Sequence, residues 1–525
     1  MSAIKKHKQQ ILLFTSLIAT LLMPMPVMAV NAAQKECYQV YNGQQYDKAL
    51  EICRPLAESG FPQAQVILGT IYERILLYKD NKKAMYWYKL AASQGSVAAQ
   101  VLLGNLYRID SSLFSVDYQK SVARFRKAAN AHNDEAQFYL GLAYKEGKGV
   151  EKNLEHAHSL FLKAALQGHS LAQLYVSADY MNGEGVTQDI KEAFFWLEAS
   201  VNAGNANAQV NLADLMLSMK PDVASVRGAL DLFFRAADQN YAEAAYRLGL
   251  LYKEEKFVKS DDIEAAKWFT FAAEQGHIKA RTQLTEDKLS SADTNEVQRR
   301  IQSYKEGRKK RYPLQDTEVS NACLKAYNSK QYDKALGICQ KATQENSARG
   351  KTALAMIYSQ QSDNDKALEL LRDAARDGLP KAQYLMGLAY KDGEFGLEKD
   401  SRLSFLWVLQ SAKRKHLAAM YSLGLYFLEG YGVEKNAEKA VAWFRKAAMH
   451  GYTNAQFNLA TLYTTGQGAT KDLVEAYFWY TRAEESNHPN ATKEKSSLKQ
   501  HLTPDQIAEV ERRAAQWLEE HGKKK

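Results

Sequence analysis

The chain has 525 residues, 69 Lys and Arg against 60 Asp and Glu, a formal charge of +9 and only four cysteines. That length excludes a single hydrophobic core, so the chain must be several domains or a repeat array. The charge excess sits largely at the ends, in Lys5, Lys6 and Lys8 and in Lys523, Lys524 and Lys525, which does not mark a nucleic-acid-binding protein.

In chain order, the first element is the apolar run Ile11 to Met23, behind three lysines and ahead of Pro24, Pro26 and the small-residue stretch Val27-Met28-Ala29. This n-, h- and c-region order predicts a signal peptide over residues 1–29. As a helix the run spans about 20 Å, too short for a bilayer core of about 30 Å. No comparable run follows, so no membrane span is expected in the mature chain. The expected location is outside the cytoplasm, secreted through the signal and held in the periplasm, where an even number of cysteines predicts disulfides.

The second element is CYQVYNGQQYDKALEIC (37–53), which recurs as CLKAYNSKQYDKALGIC (323–339). The two stretches hold all four cysteines. Gln45 and Gln331 are the midpoints, each inside a turn-like phrase, so each stretch predicts a helical hairpin with its cysteines facing across it. The expected disulfides are Cys37–Cys53 and Cys323–Cys339. Two thiols with no nearby histidine make a poor metal site, and no metal or other cofactor is expected.

The third feature fills most of the chain. AQFYLGLAYKEGKGVEKN (136–153), AQYLMGLAYKDGEFGLEKD (382–400) and AQFNLATLYTTGQGATKD (455–472) share one frame. It begins at Ala64, Ala99, Ala136, Ala172, Ala208, Ala244 and Ala280, and again at Gly350, Ala382, Ala419, Ala455 and Ala491. Each period of about 36 residues predicts two helices. The first carries A-x-x-x-L-G-x-x-Y and stops at a G-x-G turn, whose first glycine takes positive φ. Asn153, Asp189, Asp400, Asn436 and Asp472 stand at the N-cap of the second helix. That helix carries W-[FY]-x-[KR]-A-A, with Trp87, Trp196, Trp268, Trp407, Trp443 and Trp479 in one repeat position, as core packing requires. A G-x-G after a helix, without a third glycine, is not a nucleotide loop.

These motifs resemble the SEL-one-like repeat family, relatives of the tetratricopeptide repeats, over about residues 35–490. The resemblance implies an all-α fold, a right-handed α-solenoid of helix-turn-helix repeats that acts as an adaptor for other proteins. Two stretches depart from the pattern, RIDSSLFSVDY (108–118) and LSMKPDVASVR (217–227), because they lack the glycine turn.

The repeated cysteine hairpin divides the array. TNEVQRRIQSYKEG (294–307) and IAEVERRAAQWLEE (507–520) read as matching closing helices, since a solenoid needs distinct end units. The expected organisation is two tandem arrays. After the signal peptide comes a first solenoid over 30–289, with the disulfide hairpin and about seven repeats. A closing helix and basic linker occupy 290–318. A second solenoid over 319–490 has its own disulfide hairpin and about four to five repeats, and 491–525 form a capping helix and basic tail.

No H-E-x-x-H or phosphate-loop motif is present. Ser496 and Lys499 match the S-x-x-K of penicillin-binding enzymes, but S-D-N and K-T-G are missing. The chain is therefore expected to be no enzyme. Its expected function is a periplasmic protein–protein interaction scaffold that binds proteins or peptides in the solenoid groove, including envelope or peptidoglycan-associated machinery, and no nucleic acid. The alternatives are a cell-wall-associated penicillin-binding or β-lactamase-like hydrolase, and a secreted factor that binds a host protein.

By analogy with tetratricopeptide repeats, the first helices line the groove. The candidate partner-binding residues there are Phe138, Lys145, Tyr246, Lys253, Tyr384, Lys391, Tyr421 and Phe457. Aromatic rings with cationic neighbours suit peptides or acidic helices. The same rings could instead pack against the adjacent repeat, as apolar residues at helical spacing usually do.

Overall fold

The structure, a computed structural model, describes residues 27–108, 116–219, 221–286, 290–311, 318–345 and 347–521. Nearly all of the expected signal peptide, residues 1–26, lies outside this set. The described residues form 28 α-helices and no strand. The fold is an all-α solenoid of helical hairpins, as the 36-residue period predicts. The chain divides into two compact units, residues 1–164 and 165–525.

The hairpin Leu417–Glu429 and Ala437–Met449 shows why this sequence folds as it does. Gly430 ends the first helix with φ of 77°, and its N–H donates to the Tyr426 carbonyl at 2.8 Å. The Asn436 side chain accepts the Lys439 N–H at 2.8 Å and opens the second helix. Between the two helices, a methyl group built on Gly424 would lie 2.5 Å from the ring of Phe444. The motif glycine is therefore the socket for the second helix's ring. Gly69, Gly104, Gly141 and Gly249 hold Tyr88, Phe125, Phe161 and Phe269 in the same way. Burying such a ring contributes about 2–3 kcal/mol.

Hairpins join to one another through two further residues of the motif. The second glycine of the turn lies against the previous repeat: a methyl on Gly432 would come within 1.9 Å of the Ser401 carbonyl oxygen. The Gln of the A-Q pair is buried and donates back to the end of the preceding helix. Gln65 reaches the Ala57 carbonyl at 2.9 Å, Gln383 reaches Ala375 at 3.1 Å and Gln456 reaches Ala448 at 3.3 Å. Each of these carbonyls also accepts a backbone N–H, from Gly60, Gly378 and Gly451, so the glutamine is a second donor that ties the next helix to it.

Unit 1 opens with the hairpin Val27–Asn42 and Tyr46–Glu58, whose Cys37 and Cys53 are bonded with Cα atoms 5.1 Å apart. Three more hairpins follow, the last ending in Leu154–Ala165. Unit 2 holds the hairpins from Ser170–Asn182 onward, including Glu318–Asn328 and Tyr332–Gln344, joined by Cys323–Cys339 with Cα atoms 4.9 Å apart.

Of the six motif tryptophans, five are buried. Trp443 is half-buried, with the Lys446 ammonium 4.0 Å above its ring. The helices Ser291–Arg311 and Pro504–His521 dock alike. Arg300 reaches Glu264 at 3.2 Å and Arg513 reaches Glu475 at 2.7 Å. Each of these glutamates also accepts an indole N–H, from Trp268 at 3.1 Å and from Trp479 at 2.9 Å.

Within unit 2, helices far apart in sequence meet. Arg402 on Ser401–Lys413 donates to both carboxylate oxygens of Glu192 on Ile190–Asn202, at 2.7 and 2.9 Å. Its guanidinium lies 3.9 Å from the Phe195 ring centroid. Nearby, Arg235 bonds Asp231 at 2.7 Å, Asp373 at 2.5 Å and Asp377 at 3.2 Å. Lys351, 7 % exposed, holds Asp377 at 2.8 Å and Asp373 at 3.2 Å from the other side.

Candidate functional site

The aromatic candidates are ring-to-ring spacers. Tyr246 stacks on His277 at 4.4 Å, Tyr384 lies 5.0 Å from His416, Tyr421 5.2 Å from Tyr452, and Phe457 stacks on His488 at 4.1 Å. In each pair the second ring stands just ahead of the next repeat's first helix. His277 and His416 are also N-caps, taking the Ala280 and Ala419 N–H groups at 3.1 and 3.3 Å. One side chain thus caps a helix and carries the preceding repeat's ring. Tyr384 further meets the Ser422 hydroxyl at 3.2 Å, and Tyr421 accepts from the Asn458 amide at 3.4 Å.

Phe138 corrects the groove expectation outright. It is 3 % exposed and faces Phe161 at 5.7 Å, so it belongs to the core and offers no surface to a partner. The physical reason is its helix face, which points at the ring seated on Gly141. The lysine candidates differ among themselves. Lys391 is exposed, 5.8 Å from the Tyr426 ring. Lys253 is half-buried and donates to Gln283 at 3.0 Å, and Lys145 is half-buried. Ser496 is exposed on a helix surface and donates its hydroxyl to the Thr492 carbonyl at 2.8 Å. Among the described residues, no group of three or more His, Cys, Asp or Glu side chains is arranged to hold a metal ion, and no helix is long and apolar enough to cross a membrane.

The structure opens a cavity elsewhere, within unit 2, with a volume of about 470 Å³. Four consecutive first helices build it: Glu318–Asn328, Ala348–Gln360, the start of Pro380–Asp392 and the turn before Leu417–Glu429. Leu324, Tyr327, Met356, Leu379 and Pro380 supply apolar walls. Arg349, Lys381, Arg414 and Lys415 stand exposed at its edge. None of the lining residues is acidic. His416 connects the cavity to the ring pair behind it. Burial, and then the charge of Lys381, push its imidazole below the usual histidine value.

Sequence reasoning reached this place only through Tyr384, which sits behind His416. It missed the four cations, although the run Lys413-Arg414-Lys415-His416 is visible in the sequence. Their signal lay at helix starts, Arg349 and Lys381, and in one turn between hairpins, Arg414 and Lys415, rather than along the helix faces.

The chain matches the family model of the Sel1 repeat over residues 62–96, 134–169, 170–205, 242–277, 353–379, 380–416, 417–452 and 453–488, together just over half of its length. It is similar to the uncharacterized protein NMB1327 of Neisseria meningitidis serogroup B, at 25 % identity across 273 residues. That alignment covers 50 % of this chain and 56 % of the meningococcal protein, so the chain spans only about half of that relative's length. It is 29 % identical over 136 residues to HRD3B of Arabidopsis thaliana, an ERAD-associated E3 ubiquitin-protein ligase component, covering 26 % of this chain and 21 % of HRD3B. Among solved structures it is similar to c5321, a protective antigen present in uropathogenic Escherichia coli strains, with 26 % identity, a TM-score of 0.39, and coverage of 90 % of this chain and 95 % of c5321.

Proposed function

This chain belongs to the Sel1 repeat family, whose members are generally protein-interaction scaffolds, and from that premise we propose that it is a non-enzymatic adaptor in the bacterial periplasm that docks a protein segment in the groove of its second array. The observation that carries this reading is the 470 Å³ cavity, built by four successive first helices and left open to solvent. It has the size of a ligand pocket and the apolar walls that anchor side chains. The partners are proteins or peptides of the envelope or peptidoglycan-associated machinery. HRD3B, a ligase component by name, supports the idea that such repeats serve within assemblies.

Two features support the location. The apolar run Ile11 to Met23 has the order of a secretory signal, and all four cysteines are paired in the opening hairpins. Fusing residues 1–29 ahead of mature alkaline phosphatase tests the export step, and an inactive fusion contradicts it. For the adaptor itself, the full mature chain and its Lys381→Glu/Arg414→Glu variant are used as baits in envelope extract. A defined protein held by the first and released from the second supports the reading, while identical capture by both removes the groove from it.

A further inference from the structure

The chemistry of this groove specifies its occupant. We infer that the cavity within unit 2 takes an acidic peptide segment, with an apolar side chain seated on Met356 and Tyr327 and carboxylates lying along Arg349, Lys381, Arg414 and Lys415. This inference rests on the groove reading above and adds the partner's charge.

Three observations lead there. The four cations come from three different first-helix positions, and all are exposed, so they converge on the cavity edge without being part of the core. None of the lining residues carries a negative charge. The nearest acidic pair in the sequence, Asp373 and Asp377, is already held by Arg235 and by the buried Lys351, with Lys351 to Asp377 at 2.8 Å and Arg235 to Asp373 at 2.5 Å. Asp231 also pairs with Arg235, so these carboxylates are engaged with their own cations, and the cavity lining itself carries four positive side chains and no negative one, a field that an acidic segment would meet.

The start of helix Pro380–Asp392 adds to this field. Its N-cap residue, Leu379, has no side-chain acceptor, and Pro380 occupies the first turn, so the positive end of the helix dipole faces the same edge as Lys381. The apolar walls separate a peptide from a membrane surface, because a flat sheet of headgroups cannot reach the floor of a cavity. A chain segment can place one side chain there and lay its charges on the rim.

The test uses the mature full chain and a short fluorescein-labelled peptide in which glutamates flank a leucine and a tyrosine. Its twin has every glutamate replaced by glutamine. Fluorescence anisotropy should show the acidic peptide binding at least about tenfold more tightly than its twin. Lys381→Glu with Arg414→Glu should remove that preference, and raising the salt from about 0.05 to 0.5 M should weaken binding to the unchanged chain. These side chains are exposed, and a circular-dichroism melt confirms that the variant is folded. Equal binding of both peptides, blocked by Met356→Glu, overturns the acidic specificity while keeping a peptide groove. Binding of neither peptide, or binding indifferent to the charge reversals and to Met356→Glu, overturns the inference, and in the latter case the groove reading with it.

Discussion

Arg402 and Glu192 are 210 residues apart in sequence and joined by two hydrogen bonds of 2.7 and 2.9 Å. Both residues lie in unit 2, on helices Ile190–Asn202 and Ser401–Lys413, so repeats far apart in sequence pair with one another. The guanidinium also stacks on Phe195 at 3.9 Å, where a lysine could not make both contacts. Because Arg402 is 41 % exposed, its pairing is discounted for solvent. A double-mutant cycle with Glu192→Ala and Arg402→Ala, read by urea unfolding, should give a coupling of about 1 kcal/mol. Additive effects of the two changes would remove this contact as a link between distant repeats.

The socket geometry predicts a penalty for the smallest possible addition. Alanine favours helices over glycine by about 1 kcal/mol. At Gly424, however, its methyl would lie 2.5 Å from the Phe444 ring. Overpacking of this kind costs about 1–3 kcal/mol, so Gly424→Ala should lower the melting temperature, and Phe444→Leu in the same chain should recover part of the loss. A more stable Gly424→Ala protein would show that the ring moves freely.

The two disulfide hairpins should act as staples on units with a neighbour on one side only. Closing each loop stabilises by about 3 kcal/mol in the chain-entropy model. Reduction, or Cys37→Ser with Cys53→Ser, should destabilise the opening hairpin first and expose it to protease. Non-reducing peptide mapping should recover the 37–53 and 323–339 links. A 37–323 link would break the assignment.

The helix Ser291–Arg311 has an acid limit. Hydrogen bonds from Arg299, then Arg300, hold the Glu296 carboxyl down at about 2, against 4.5 for a free side chain. A depressed carboxyl stabilises the folded state fully above the unfolded value and loses that contribution as pH falls through the folded one. The difference in melting temperature between the natural chain and Glu296→Gln should therefore be constant above pH 4.5 and shrink toward pH 2. A difference independent of pH across that window would contradict the pairing.

The repeat was legible because its residues act locally. A glycine that must end a helix, an asparagine that must cap the next one, and a small residue beneath a ring recur wherever the hairpin recurs. The closing helices were legible for the same reason, and Arg300 and Arg513 make equivalent contacts to Glu264 and Glu475. What the pattern did not carry was any contact between distant repeats. Glu192, Arg235 and Arg402 occupy ordinary solvent-type positions within their own units, and only the tertiary arrangement gives them partners. Of the two readings open for the aromatic residues, packing against the next repeat describes Tyr246, Tyr384, Tyr421 and Phe457, whose rings meet His277, His416, Tyr452 and His488. The cations that line the cavity come from the first turns of two helices and from the turn before a third, where sequence periodicity says least.

Docking of a protein segment in the groove lined by Met356 is tested in the living cell by a photo-crosslinker. Benzoylphenylalanine is placed at Met356, on the cavity wall, and separately at Tyr86, an exposed ring 59 % accessible on a second helix. Position 356 should give a discrete protein adduct that Lys381→Glu/Arg414→Glu abolishes, and position 86 should give none of that mass. The same adduct from both positions, or none from position 356, would contradict docking in this groove.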